Sequence, residues 1–169
     1  MLYSPSPKPP QIAGGHIAGV HMRSLLNRVK FIALVGASAR ESKPSYQVLK
    51  FLHAAGYTML PVNPNPDLTD IDGLRVYPSL AAIDRPVDMV DVFRPAKELY
   101  GLAEQAIAIR AKVLWGQFDI VDEAAATLAR NAGLSVVMDR CPKIELQKIA
   151  PAVQPAWTHF QRPKDTSPS

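Results

Sequence analysis

The chain holds one cysteine, Cys141, in 169 residues. A lone thiol excludes an intramolecular disulfide framework and suits a reducing compartment, the cytoplasm. No apolar run is long enough to cross a bilayer. The patch from Ile12 to Val20 is broken by Gly14, Gly15, His16 and Gly19, which makes it a poor signal peptide. Four histidines, His16, His21, His53 and His159, are scattered with no cysteine or carboxylate at ligand spacing, so a metal site is disfavoured. Neither G-x-G-x-x-G nor G-x-x-x-x-G-K-[ST] occurs. The first absence disfavours NAD, and the second excludes a P-loop NTPase. Acid is missing from residues 1–30, which carry Lys8, Arg23, Arg28 and Lys30, while Arg162 and Lys164 outnumber Asp165 at the other end. Of the net charge of +4, residues 31–149 therefore hold −1. A near-neutral centre offers no broad basic face for nucleic acid.

Phe31-Ile32-Ala33-Leu34-Val35 is an unbroken apolar run that ends in Gly36-Ala37-Ser38. Such a run suits a strand buried on both faces of a parallel sheet. Small residues let the chain turn sharply, and a helical pattern starts near Pro44-Ser45-Tyr46, so a helix N-terminus points at the same spot, as in a phosphate cradle. The alternation then continues: a helix to Ala55 closed by Gly56, a strand over Thr58–Val62, and a polar loop with Asn63, Pro64, Asn65, Pro66 and Asp67. A short edge strand over Leu74–Tyr77 and a helical turn over Leu80–Ile83 come next. After them come a strand over Val87–Phe93, a helix over Pro95–Arg110, a strand from Lys112 to Trp115, a helix from Asp122 to Ala132, and a last strand over Ser135–Met138. The pattern predicts an α/β fold, doubly wound and Rossmann-like, with a mainly parallel sheet of five to six strands and helices on both faces. Its single domain is expected over residues 25–150, between an extended tail (1–24) and a proline-rich tail (151–169) in which Trp157 pins the chain. Met22, which opens a short helix before the first strand, is an alternative translation start to Met1.

Ligands of such folds bind outside the carboxyl ends of the strands. The loops there carry Arg40, Lys43, Arg94, Arg140 and Lys143, which points to a multiply charged anion. Catalytic constellations are thin. Ser38 and Ser45 meet no histidine, and Asp88 and Asp91, three apart on one strand, face opposite ways. Asp139 and Glu145 are expected in salt bridges with Arg140 or Lys143, and Trp115 in the core or a pocket wall. Cys141, beside Arg140 and Lys143, is read as a packed thiol, with a cation-lowered pKa as the alternative.

Assembled in order, these pieces resemble the small stand-alone CoA-binding Rossmann-like proteins, relatives of the CoA-binding domain of the succinyl-CoA synthetase alpha subunit. The resemblance rests on Val35-Gly36-Ala37-Ser38, Lys43-Pro44-Ser45-Tyr46, Pro61-Val62-Asn63-Pro64, Tyr77-Pro78-Ser79-Leu80 and Val87 through Arg94. Trp115-Gly116-Gln117 and Val137 through Glu145 complete it. It implies coenzyme A or an acyl-CoA as ligand. Gly36, Ala37 and Ser38 would line the nucleotide, and Ser45 and Tyr46 would sit beside its phosphates. Asn63 and Pro64 would flank the adenosine, and Phe93, Arg94 and Pro95 would form the opposite wall, with Trp115 behind. Lys43, Arg140 and Lys143 are electrostatic additions to that set. Two departures stand out: Asp119 in place of an expected glycine, which would narrow the pocket or repel a phosphate, and an Asn65-Pro66-Asp67 loop without the synthetases' lysines. The chain reaches no domain for a phosphohistidine, so non-catalytic binding is expected, as sensor, carrier or regulatory partner. Two alternatives remain open, a ligase subunit needing a second chain and an NAD(P)- or CoA-thiol-linked redox sensor using Cys141. A homodimer would cover the exposed sheet edges.

Overall fold

The computed structural model describes residues 19–149. Residues 1–18 of the expected amino-terminal tail and the whole expected tail over 151–169, with Trp157, His16, His159 and the choice between Met1 and an internal start, lie outside the described residues. The first helix, α1 (Gly19–Arg28), begins before Met22, so residues 19–24 are helical rather than part of an extended tail. Met22, Leu25, Leu26 and Val29 recur at helical spacing and are buried.

Five strands form the sheet: β1 (Phe31–Val35), β2 (Thr58–Val62), β5 (Met89–Val92), β6 (Val113–Gly116) and β7 (Ser135–Val137). Their order is β2-β1-β5-β6-β7, and every pairing is parallel. One face packs Ile32, Leu34, Met89 and Trp115 against α1, α2 (Pro44–Ala54) and α5 (Pro142–Ile149). The other packs Ala33, Val35, Val90, Val92 and Leu114 against α3 (Leu99–Ala108) and α4 (Glu123–Asn131). Burial on both faces explains why β1 shows no polar alternation. Gly56 and Gly133, at φ +101° and +95°, end α2 and α4 in the left-handed region. Asp122 opens α4 by accepting from the Ala125 N–H at 2.8 Å.

Several boundaries differ from expectation, each for a local reason. Residues 70–75 form an antiparallel ribbon, β3 (Asp70–Ile71) and β4 (Leu74–Arg75), turned by Asp72 and Gly73 with φ of +50° and +87°. Tyr77 stands apart from it, bridged to Val62, so 74–77 is not one strand. Residues 80–83 make the expected turn, held by Ser79 Oγ, which accepts from the Ala82 N–H at 3.2 Å. A 3-10 turn, Ala96–Glu98, precedes α3.

The fifth strand starts at Met89 rather than Val87 because Asp88 serves as a bracket. Its carboxylate accepts the Lys30 and Phe31 N–H groups, both at 2.9 Å, and pairs with Lys112 at 3.3 Å. Asp88 therefore stands outside the strand, whereas Asp91 lies within it and is fully buried. On the outer edge of β2, Pro61 has no N–H to offer and its carbonyl is taken by the Tyr77 N–H, which blunts that edge.

Candidate functional site

The chain runs from β1 to β2 at one edge of the sheet and then crosses to β5 on the other side of β1. That reversal leaves a crevice outside the carboxyl ends of β1 and β5, the place where open α/β sheets bind ligands. A groove of about 600 Å³ lies there. Its walls come from three loops: residues 36–45 after β1, Asn63 to Leu68 after β2, and Phe93-Arg94 after β5.

Gly36 shapes the floor. Its φ is +88°, and a Cβ there would lie 2.3 Å from the Phe93 carbonyl oxygen, so no other residue fits without displacing backbone. The N–H groups of Gly36 and Ala37 both donate to the Val62 carbonyl, at 3.1 and 3.2 Å. These two residues thus form the groove without offering it a donor. The donors come later. Helix α2 starts at Lys43-Pro44 with no side-chain cap, so the N–H groups of Ser45 and Tyr46, in its first turn, have no intrahelical acceptor. Ser38 Oγ accepts the Arg40 N–H at 3.1 Å, which fixes the loop and leaves its hydroxyl hydrogen free to donate.

Arg94 extends along the opposite wall and is held by Glu98, one carboxylate oxygen lying 3.0 Å from Nε and 2.9 Å from one terminal nitrogen. The side chain is about half exposed, so its remaining N–H groups can meet an anion. Asn63 is spent on structure: its amide donates to the Ala37 carbonyl at 2.8 Å, and its oxygen accepts the Asn65 N–H at 2.8 Å.

Of the expected site residues, Gly36, Ala37, Ser38, Lys43, Ser45, Asn63, Phe93 and Arg94 line this groove, joined by Arg40. Six others do not. The Tyr46 hydroxyl is hydrogen-bonded to Asp72, which raises its pKa to about 12, and Lys50 pairs with the same carboxylate at 3.0 Å. Pro64 and Pro95 are exposed neighbours of lining residues. Trp115 is wholly buried, its Nε1 donating to the Arg140 carbonyl at 2.7 Å. Arg140 pairs with Glu145 at 3.3 Å, as expected of that acid, and the Lys143 ammonium lies 5.6 Å from the centre of the Phe51 ring. Asp139 makes no such bridge; its carboxylate accepts the Asp119 N–H at 2.9 Å. Asp119 itself has φ of +63°, the left-handed conformation that explains an expected glycine, and it does not line the groove.

Two buried groups beneath the edge carry unusual chemistry. Asp91 shares a sheet face with Trp115, and its Oδ1 accepts the Gln117 amide at 2.6 Å while Oδ2 has no partner. Burial, opposed only by that bond, pushes its carboxyl up to about 7. Burial also pushes the Cys141 thiol up, against the N–H groups of Ile144 and Lys143 and the charge of Lys143, with Asp91 adding to the rise. The flanking cations therefore do not make Cys141 a ready nucleophile; its environment is that of a packed thiol.

Lining residues outside the expected set are, besides Arg40, Ala39, Pro44, Asn65, Asp67 and Leu68, and the Asp91–Gln117 pair was also missed. The lone acid inside an apolar strand, Asp91, was the available signal for the last. A second groove, of about 590 Å³, follows the amino-terminal half of β2 between His53, Tyr57, Arg75, Tyr77 and Arg85. It lies away from the carboxyl edge, and its Arg75 is occupied by the Tyr77 ring, 4.6 Å away, and by Asp84.

The sequence matches the family described as CoA binding domain over residues 30–147. Among curated proteins it is 39% identical over 123 residues to YneT, an uncharacterized protein of Bacillus subtilis (strain 168), covering 73% of this chain and 90% of that protein. A hypothetical protein from Pyrococcus horikoshii OT3 has a similar structure, with a TM-score of 0.75 and 33% identity, covering 82% of this chain and 98% of that one. The apo form of the dinucleotide forming acetyl-coenzyme A synthetase 1 of Ca. Korarchaeum cryptofilum aligns with a TM-score of 0.55 and 25% identity. That alignment covers 63% of this chain and 25% of the synthetase.

Proposed function

The chain belongs to the CoA binding domain family, and from that premise we propose that it binds a CoA-type ligand, coenzyme A or an acyl-CoA, non-catalytically in the groove at the carboxyl ends of β1 and β5. One observation carries this. The uncapped N-terminus of α2, the Ser38 hydroxyl, Arg40, Lys43 and Arg94 face one groove from loops flanking the switch point. A pyrophosphate there gains charge-assisted hydrogen bonds from two sides. Gly36 keeps the floor low enough for a nucleotide to lie against backbone.

The role is that of a sensor, carrier or regulatory partner in the cytoplasm, in keeping with the lone, buried thiol. A homodimer would form through the β7 edge, since Pro61 and Tyr77 blunt the β2 edge. A second reading, a ligase component that needs another chain, is favoured by the likeness to a quarter of the acetyl-coenzyme A synthetase. ATP-dependent acyl-CoA formation that appears only with a co-purifying chain would support it.

Calorimetric titration of the full chain with CoA, with NAD as competitor, tests the main proposal. Saturable one-site binding, weakened about tenfold by Arg94→Ala, is the expected result. NAD binding with no CoA binding would refute it.

A further inference from the structure

The lateral order of the loops separates charge along the groove. Strands β2, β1 and β5 lie side by side, so the β1 loop brings Arg40 and Lys43 to the middle of the groove and the β5 loop brings Arg94 to one end. The β2 loop brings Asn63, Asn65 and Asp67 to the other, with no cation among them.

Asp67 is also held in place. The Asn63 amide donates to the Ala37 carbonyl, Asn63 Oδ1 accepts the Asn65 N–H at 2.8 Å, and Asn65 Oδ1 accepts the Asp67 N–H at 3.0 Å. A further turn, Leu68 N–H to the Asn65 carbonyl at 3.1 Å, closes the loop. The relay ties the backbone of Asp67 to the loop that faces the pyrophosphate, while its carboxylate has no ion-pair partner among the described residues.

Resting on the proposal above, we infer that Asp67 makes this groove select a nucleotide with a free ribose diol, so that 3′-dephospho-CoA binds in preference to CoA. In dinucleotide-binding sheets a carboxylate after the second strand accepts the hydrogens of a ribose hydroxyl, and a cation replaces it where a phosphate must be held. The same logic holds at this end of the groove. A diol donates to the Asp67 carboxylate, whereas a ribose 3′-phosphate sets like charge against it. The pyrophosphate, common to both ligands, is served by the cations of the β1 and β5 loops, so the discrimination falls on the 3′ position alone.

Parallel calorimetric titrations of the full chain with CoA and 3′-dephospho-CoA test this in the native protein, Asp67→Asn and Asp67→Lys. Asp67 is exposed, and its partner is made through backbone, so neither change disturbs the core. The native chain is expected to bind dephospho-CoA about tenfold more tightly than CoA, as a solvent-exposed like-charge contact together with the lost hydrogen bond to the diol would give. Asp67→Asn narrows the gap and Asp67→Lys reverses it. Equal or tighter binding of CoA by the native chain overturns the inference while leaving the proposed function intact. Binding of neither ligand overturns both.

Discussion

Replacing Asp91 by Asn isolates the titration of one buried carboxyl. Its pKa is about 7 in the folded chain and about 4 when solvated. Between those values the native state keeps a proton that the unfolded state has released, so stability falls as pH rises through this window and levels off above it. Three units at about 1.4 kcal/mol each make the full fall about 4 kcal/mol. Asn has nearly the same shape, keeps an oxygen for the Gln117 amide, and cannot ionise. It puts an amino group where Oδ2 has no partner, at a cost of about 1–3 kcal/mol that does not vary with pH.

The free-energy difference between variant and native chain should therefore swing in favour of Asn by about 4 kcal/mol between pH 4 and pH 7.5. Urea unfolding followed by Trp fluorescence at several pH values measures it. Other carboxylates titrate alike in both proteins and cancel in the difference. Parallel stability curves across that range would refute the account of Asp91 as a desolvated, half-satisfied acid.

Gly36→Ala combines a left-handed φ with a Cβ 2.3 Å from the Phe93 oxygen, so it should lower stability by about 2–3 kcal/mol and distort the groove; the urea midpoint and the CoA affinity report the two effects. Asp88→Ala removes the acceptor of the Lys30 and Phe31 N–H groups and should cost about 2–3 kcal/mol at pH 7. Burial pushes that carboxyl up, but the Phe31 and Lys30 N–H groups and Lys112 bring it below its ordinary value. Its contribution is accordingly present above the unfolded pKa and lost as pH falls through the folded one. Denaturation in acid should then show the Asp88→Ala deficit shrinking as the carboxyl protonates, and a deficit that does not change down to low pH would count against the bracket.

Strands β1 and β2 and helices α2 and α4 were legible because each announces itself locally, by a two-faced apolar run or by a closing glycine, with a cap besides at α4. Helix α5 was not, because Pro142 after Cys141 resembles loop punctuation, whereas proline at a first helical position begins a helix. The β3–β4 ribbon hid in a polar stretch whose Asp72-Gly73 pair is a hairpin signal. For the site, strand-end logic pointed to the loops that form the groove and to the helix N-terminus beside it, but not to which N–H groups there are already taken. That the Gly36 and Ala37 N–H groups are consumed by Val62 depends on the register of a strand some 25 residues further along. The partners that draw Tyr46 and Lys143 elsewhere likewise come from other elements, or from turns the pattern did not reveal, whereas the Arg140–Glu145 pair was expected. Asp91 was visible as an acid in an apolar strand, but its orphaned oxygen is a property of packing.

The location of the ligand is the central claim, and a crystal structure of the full chain grown with saturating CoA tests it most directly. The account predicts the pyrophosphate within hydrogen-bonding distance of the Ser45 and Tyr46 N–H groups and of Arg94, with the adenosine towards the β2 loop. CoA seated in the groove beside His53 and Arg75, or absent from the carboxyl edge at saturating concentration, would contradict it.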